Sequence, residues 1–76
     1  MTIKAYVLIE ANIGKTREVI GAIRRLKGVV SIDAVTGPYD AIAVIQAENM
    51  SEIGDLIVSM LHAVAGVSRT VTCMAV

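Results

Sequence analysis

The sequence holds no tryptophan, no phenylalanine, one proline, one histidine and one cysteine. With Cys73 alone, no disulfide can close within the chain, and with His62 as the only histidine no Cys/His-rich metal cage can be assembled. Tyr6 and Tyr39 are the only aromatic residues, too few for a base-stacking platform. Seven basic and seven acidic side chains give a formal charge of zero, so the counterion-releasing surface that carries nucleic-acid affinity is missing too. Long apolar runs are also absent. Lys4, Glu10, Lys15, Asp33, Asp40 and Asp55 interrupt every stretch before it nears the roughly 20 apolar residues of a membrane-spanning helix, which argues against a membrane role. The first residues carry Lys4 and Glu10 and alternate like a strand, unlike a signal peptide, so a cytoplasmic location is expected.

What is present in excess is apolar surface. Hydrophobic residues make up 55% of the chain and the mean hydropathy is +0.70, against about 45 to 50% apolar content in an average soluble domain. A single domain spanning 1–76 buries only about 60 to 65% of the surface its unfolded chain exposes. One small core cannot hide this much, and a homo-oligomer is predicted.

Residues 3–10 read as a first strand, with Ile3, Ala5, Val7 and Ile9 on one face and Lys4, Tyr6, Leu8 and Glu10 on the other. A helix follows on the stripe Thr16, Val19, Ile20, Ile23 and Lys27, with Arg17, Glu18, Arg24 and Arg25 facing water and Gly28 as its left-handed stop. Residues 29–36 and 41–47 are β-branched runs joined by a turn through Gly37-Pro38, hence a hairpin. Ile53, Leu56, Ile57, Met60, Leu61 and Val64 mark a second helix, capped by Asn49 in a box with Glu52 or by Ser51, and ended by Gly66. Residues 67–74 form the last strand, with Ser68, Thr70, Thr72 and Met74 on one face and Val67, Arg69, Val71 and Cys73 on the other. The order βαββαβ predicts an α+β, ferredoxin-like split β-α-β fold: a four-stranded antiparallel sheet with both helices on one face. Its uncovered face predicts a sheet-to-sheet dimer.

Several chemical readings fail on the residues. Gly14-Lys15-Thr16 resembles the end of a phosphate loop, but the glycine required five residues earlier is Ile9, inside a strand. His62 has no carboxylate beside it in sequence and reads as a partly exposed helix residue. Cys73 reads as a buried, inert thiol, and the four methionines as core filler. The basic face Arg17, Arg24, Arg25 and Lys27 is interrupted by Glu18 and reads as solvated. What remains is the turn Gly37-Pro38-Tyr39-Asp40 and the pair Thr70 and Thr72. A free α-amino acid needs an acceptor for its ammonium, which Asp40 offers, and donors for its carboxylate, which turn amides and threonine hydroxyls offer. The plainer reading has Asp40 bonding turn amides and Tyr39 covering a sheet end.

Three stretches in this order, Gly28-Val29-Val30, Val35-Thr36-Gly37-Pro38-Tyr39-Asp40 and Gly66-Val67-Ser68-Arg69-Thr70-Val71-Thr72, resemble the effector-binding (RAM) domain of the Lrp/AsnC family, regulators of amino acid metabolism and transcription. The resemblance runs the full length. It implies a sheet-packed homodimer, assembly into an octamer or decamer, and an amino acid effector held between dimers by Gly37, Tyr39 and Asp40 of the turn and Thr70 and Thr72 of the last strand. It implies no cofactor, no metal and no catalytic residue. Full regulators carry a helix-turn-helix before this domain; here the first strand begins almost at Met1, so a stand-alone form is expected that binds no DNA directly but can join full-length relatives. Two other functional classes fit the fold: a small dimeric α/β-barrel enzyme, for which few activating groups are present, and a ligand-free assembly adaptor.

Overall fold

The central strand is apolar on both faces, and the rest of the chain is arranged to cover one of them. In a computed structural model describing all residues from Met1 to Val76, the elements are β1 (Ile3–Ala11), α1 (Thr16–Arg24), β2 (Val29–Ala34), β3 (Ala41–Ala47), α2 (Met50–Ala63) and β4 (Val67–Met74). The sheet order is β2-β3-β1-β4, and all three pairings are antiparallel. This is the ferredoxin-like βαββαβ fold expected from the sequence.

Alternation along β1 sends Ala5, Val7 and Ile9 inward, and all three are fully buried. Their neighbours Ala41, Ala43 and Ile45 of β3 join them, and the helices close the layer with Val19 and Ile23 of α1 and Ile53 and Met60 of α2. Ile32 and Val64 complete the core. Only 12 of 76 residues are buried, which leaves a core too small to absorb the apolar excess. The surplus lies on the other sheet face. Tyr6 and Leu8 of β1 pair with Val44 and Ile42 of β3 and with Cys73 and Val71 of β4, and no element covers them. Lys4, Glu10, Ser31, Asp33, Gln46 and Arg69 rim this patch.

Four local expectations change. The first helix stops at Arg24, not just before Gly28, because the amides of Arg25 and Leu26 bond to the carbonyls of Ala22 and Ile23 and tighten the chain out of the helix. Gly28 then serves the entry to β2. It has φ +101°, and an added Cβ would stand 3.1 Å from Leu56 Cδ2 and 3.3 Å from the Gln46 carbonyl oxygen. The second strand ends at Ala34, two residues early, and beyond it only one bond continues the ladder, from the Val35 amide to the Asp40 carbonyl at 3.0 Å. Cys73 is exposed on the open face instead of buried, because its register partner is Tyr6 and not a core residue. Of the methionines, Met60 is core and Met74 packs against it, whereas Met1 and Met50 are exposed.

The start of α2 selects Asn49 over Ser51: the Asn49 side chain accepts from the Glu52 amide at 2.9 Å. Glu52 in turn accepts from the Glu48 amide at 2.9 Å, one residue before the donor that a capping box uses. Where β2 pairs with β3 the register slips between Val29 and Ser31, leaving Val30 as an extra, exposed residue on this edge strand.

Because the core is small, each of its members matters. Ile23→Ala is expected to lower unfolding free energy by about 2 to 5 kcal/mol, while Arg17→Ala on the same helix changes it by less than about 0.5 kcal/mol; urea denaturation at fixed protein concentration measures both.

Candidate functional site

The β2–β3 turn is fastened to the two strands beside it. Gly37 has φ +124°, a conformation that side chains rarely adopt, and this lets the chain reverse before Pro38. At the exit, the Asp40 amide donates to the Ile9 carbonyl at 2.9 Å, and an Asp40 carboxylate oxygen accepts from the Ala11 amide at 2.8 Å. Asp40 therefore binds β1 and not the amides of its own turn, which corrects the plainer sequence reading. This places its carboxylate at the register slip between Glu10 and Ala11, where β1 would otherwise leave an amide unpaired.

Tyr39 reaches the other way, towards β4. Its hydroxyl accepts from Arg69 Nη2 at 3.1 Å, and the Arg69 guanidinium carbon lies 5.8 Å from the ring centroid. Arg69 also approaches Glu10 Oε2 at 3.9 Å through Nε, and Ser68 Oγ donates to the Glu10 carbonyl at 3.0 Å. These groups are solvent-exposed, so their worth is positional more than energetic. Together they tie turn, β1 and β4 at one end of the sheet. Arg69, Glu10 and Ser68 were not among the candidate residues. The signal for Arg69 was its place in the strand directly before Thr70; its pairing with Glu10 needs the register.

Thr70 and Thr72 lie elsewhere. They stand opposite Ile9 and Val7, which puts them on the helix-facing side of β4, the reverse of the side that carries Arg69. Their hydroxyls make no hydrogen bond within the chain, and none links them to Gly37, Tyr39 or Asp40. Two separated half-sites thus exist: a clamped turn whose Gly37 and Pro38 are exposed, and a half-buried hydroxyl pair on an edge strand. A shallow depression lined by Ala34, Val35 and Thr36 adjoins the turn. At the opposite end of the sheet, Lys27, Gln46, Glu48, Glu52, Asp55 and Leu56 line a cleft of about 510 Å³, remote from both.

A βαββαβ layer with one bare sheet face and a clamped hairpin turn defines a class of small ferredoxin-like α+β domains. The sequence profile described as the Lrp/AsnC ligand binding domain matches residues 4–76, and the chain belongs to this family. It is 37% identical over 71 residues to an uncharacterised HTH-type transcriptional regulator of Pyrococcus horikoshii, covering 90% of this chain and 47% of the relative. A similar regulator of Pyrococcus furiosus is 34% identical with the same coverage, so the chain spans about half the length of these relatives. Among solved structures, a Thermus thermophilus protein superposes with TM-score 0.90 at 32% identity, over 97% of this chain and 92% of its own. A Neisseria meningitidis transcriptional regulator in complex with L-Met superposes with TM-score 0.84 at 20% identity, over 97% of this chain and 49% of its own, a likeness of fold alone.

The two oxygens of Asp40 make its substitutions separable. Asp40→Ala leaves the Ala11 amide without its partner and is expected to cost about 1 to 3 kcal/mol of stability. Asp40→Asn keeps a carbonyl acceptor for that amide and should recover most of the loss in thermal melts.

Proposed function

We propose that this chain is a non-enzymatic effector module that binds a free α-amino acid at a site made where copies of the chain meet. The observation that carries this reading is the separation of the two half-sites: the turn with Gly37, Tyr39 and Asp40 and the hydroxyls of Thr70 and Thr72 are not joined within one protomer. A second chain supplies the missing wall. Asp40 has one oxygen committed to Ala11 and keeps the other for an ammonium, and the threonine hydroxyls are donors for a carboxylate. Membership of the Lrp/AsnC ligand-binding-domain family supports an effector role, and relatives named as transcriptional regulators support regulation over catalysis.

The bare sheet face supports the first step of assembly, a sheet-to-sheet homodimer burying Tyr6, Leu8, Ile42, Val44 and Val71; dimers then join as a ring of eight or ten chains. Full-length relatives that carry a DNA-binding unit are the partners such a module would join, and through which it would act on transcription in the cytoplasm. Binding across an interface favours the assembly in which that interface is closed, by no more than the difference in affinity between the states. At a ligand concentration of 100 times Kd the closed state gains about 2.7 kcal/mol.

A thermal-shift screen of the twenty amino acids, each in large excess, is expected to give a rise in Tm for one or a few. No rise for any of them rejects the amino acid site. For a ligand so found, Asp40→Asn is expected to weaken binding about tenfold or more by calorimetry with the melting temperature little changed; unchanged affinity removes Asp40 from the site. The dimer has its own readout in Cys73, which sits on the open face beside Tyr6. Its reaction rate with a thiol reagent should fall as protein concentration rises, and a rate independent of concentration contradicts pairing through that face.

A further inference from the structure

The two helices share one layer but present different outer faces. That of α1 carries Arg17, Glu18, Arg24 and Arg25, all exposed, as expected of a helix that faces water. That of α2 carries exposed Met50, Val58 and Leu61 at 57%, 51% and 39%. With half-buried Ile57 these form one continuous stripe down the helix. Scattered single apolar residues need no explanation, but a stripe on one side of a 14-residue helix does.

Gly54 lies on the same stripe. A glycine inside a helix is less stable there than alanine, and nothing in the protomer demands it: its φ is not positive, and no atom stands within 4 Å of where a Cβ would be. Its effect is to lower the helix surface so that another helix can approach to about 8 Å between axes. One flank of the stripe is polar, and it carries Asp55 and His62, seven residues apart and so nearly in line along the helix.

We infer that the outer face of α2 is a homotypic docking surface that pairs antiparallel with α2 of a second copy, about a two-fold axis between Val58 and Ser59. A two-fold axis of this kind keeps the apolar flank beside the apolar flank and the polar flank beside the polar flank. Asp55 and His62 are equidistant from its midpoint. Each Asp55 carboxylate therefore meets the second copy's imidazole, whose N–H donates to it, and the contact occurs twice. Parallel pairing would set each polar flank beside the other helix's apolar flank and forfeit this complementarity, and it would align the two helix dipoles unfavourably. The charge pattern thus fits another copy of this same helix, and it fits one direction only. This stripe lies about a quarter turn around α2 from its core-facing residues Ile53 and Met60, with Ile57 at the margin between the two, and it does not rest on the amino acid reading.

Sedimentation of the full chain over micromolar to hundred-micromolar concentrations tests the inference. Wild type should form species larger than a dimer, and Val58→Glu should lower their mass. Gly54→Gln should do the same while retaining helical circular dichroism, since the longer side chain suits a helix and obstructs only the approach of a second one. Asp55→Lys and His62→Asp should each weaken the larger species about tenfold, exposed pairs being modest singly and counted twice here. The double variant Asp55→Lys/His62→Asp should return to within about threefold of wild type. Val44→Glu on the sheet face serves as the separate control. The inference is overturned if wild type never exceeds a dimer, if neither Val58→Glu nor Gly54→Gln lowers the mass, or if the double variant is no stronger than the singles.

Discussion

The structure depends on β1 being apolar on both faces while sitting in the middle of the sheet. One face, Ala5, Val7 and Ile9, is sealed by two helices; the other, Tyr6 and Leu8, is bare. A strand of this kind resembles the doubly covered strands of parallel sheets, yet here only one helical layer exists. Burial of an apolar surface stabilises in proportion to area, at roughly 25 cal/mol per Å², so the protomer leaves a sizeable stabilisation unrealised on its open side. The adjoining residues on β3 have the same two-sided character, whereas β4 sets Thr70 and Thr72 on its helix-facing side. The proposed sheet-to-sheet pairing rests on this arrangement more than on any single contact.

Around that frame, polar groups act locally, and the turn illustrates how. Asp40 satisfies an amide where β1 slips its register, and Tyr39 meets Arg69 across the strand end. A β2–β3 turn containing Gly37 and Pro38 would otherwise have no fixed position relative to β1 and β4. The same residues that invite a functional reading therefore first perform a mechanical one. The two roles are compatible because a carboxylate has two oxygens and only one is used within the chain.

Much of the architecture was legible in the residues. Alternation along residues 3–10, the helical period of Ile53, Leu56, Met60 and Val64, and the Gly-Pro break dictate the element order, and the order dictates the sheet topology through handedness. Ends were less legible. The tightened exit of α1 depends on which carbonyls Arg25 and Leu26 find, and periodicity does not encode that choice. The site was half legible. Turn chemistry marks Gly37 and Asp40, but Arg69 joins Tyr39 only because β4 pairs with β1 in one register. The exposure of Cys73 was misjudged for the same reason: Val71 and Ala75, two residues to either side, are apolar, whereas its neighbour across the strand is Tyr6.

The slipped register at Val30 has a further effect on how copies can meet. A bulged margin twists away from an incoming strand and makes a poor template for it. The β4 margin carries a slip of its own, with Ser68 as the extra residue opposite the step from Glu10 to Ala11. Fibre growth by strand addition requires two usable margins per molecule, one to receive and one to extend. Neither margin here is regular along its whole length, so neither role is well served. A chain this rich in apolar residues is in that way protected from open-ended aggregation by one extra residue in each edge strand.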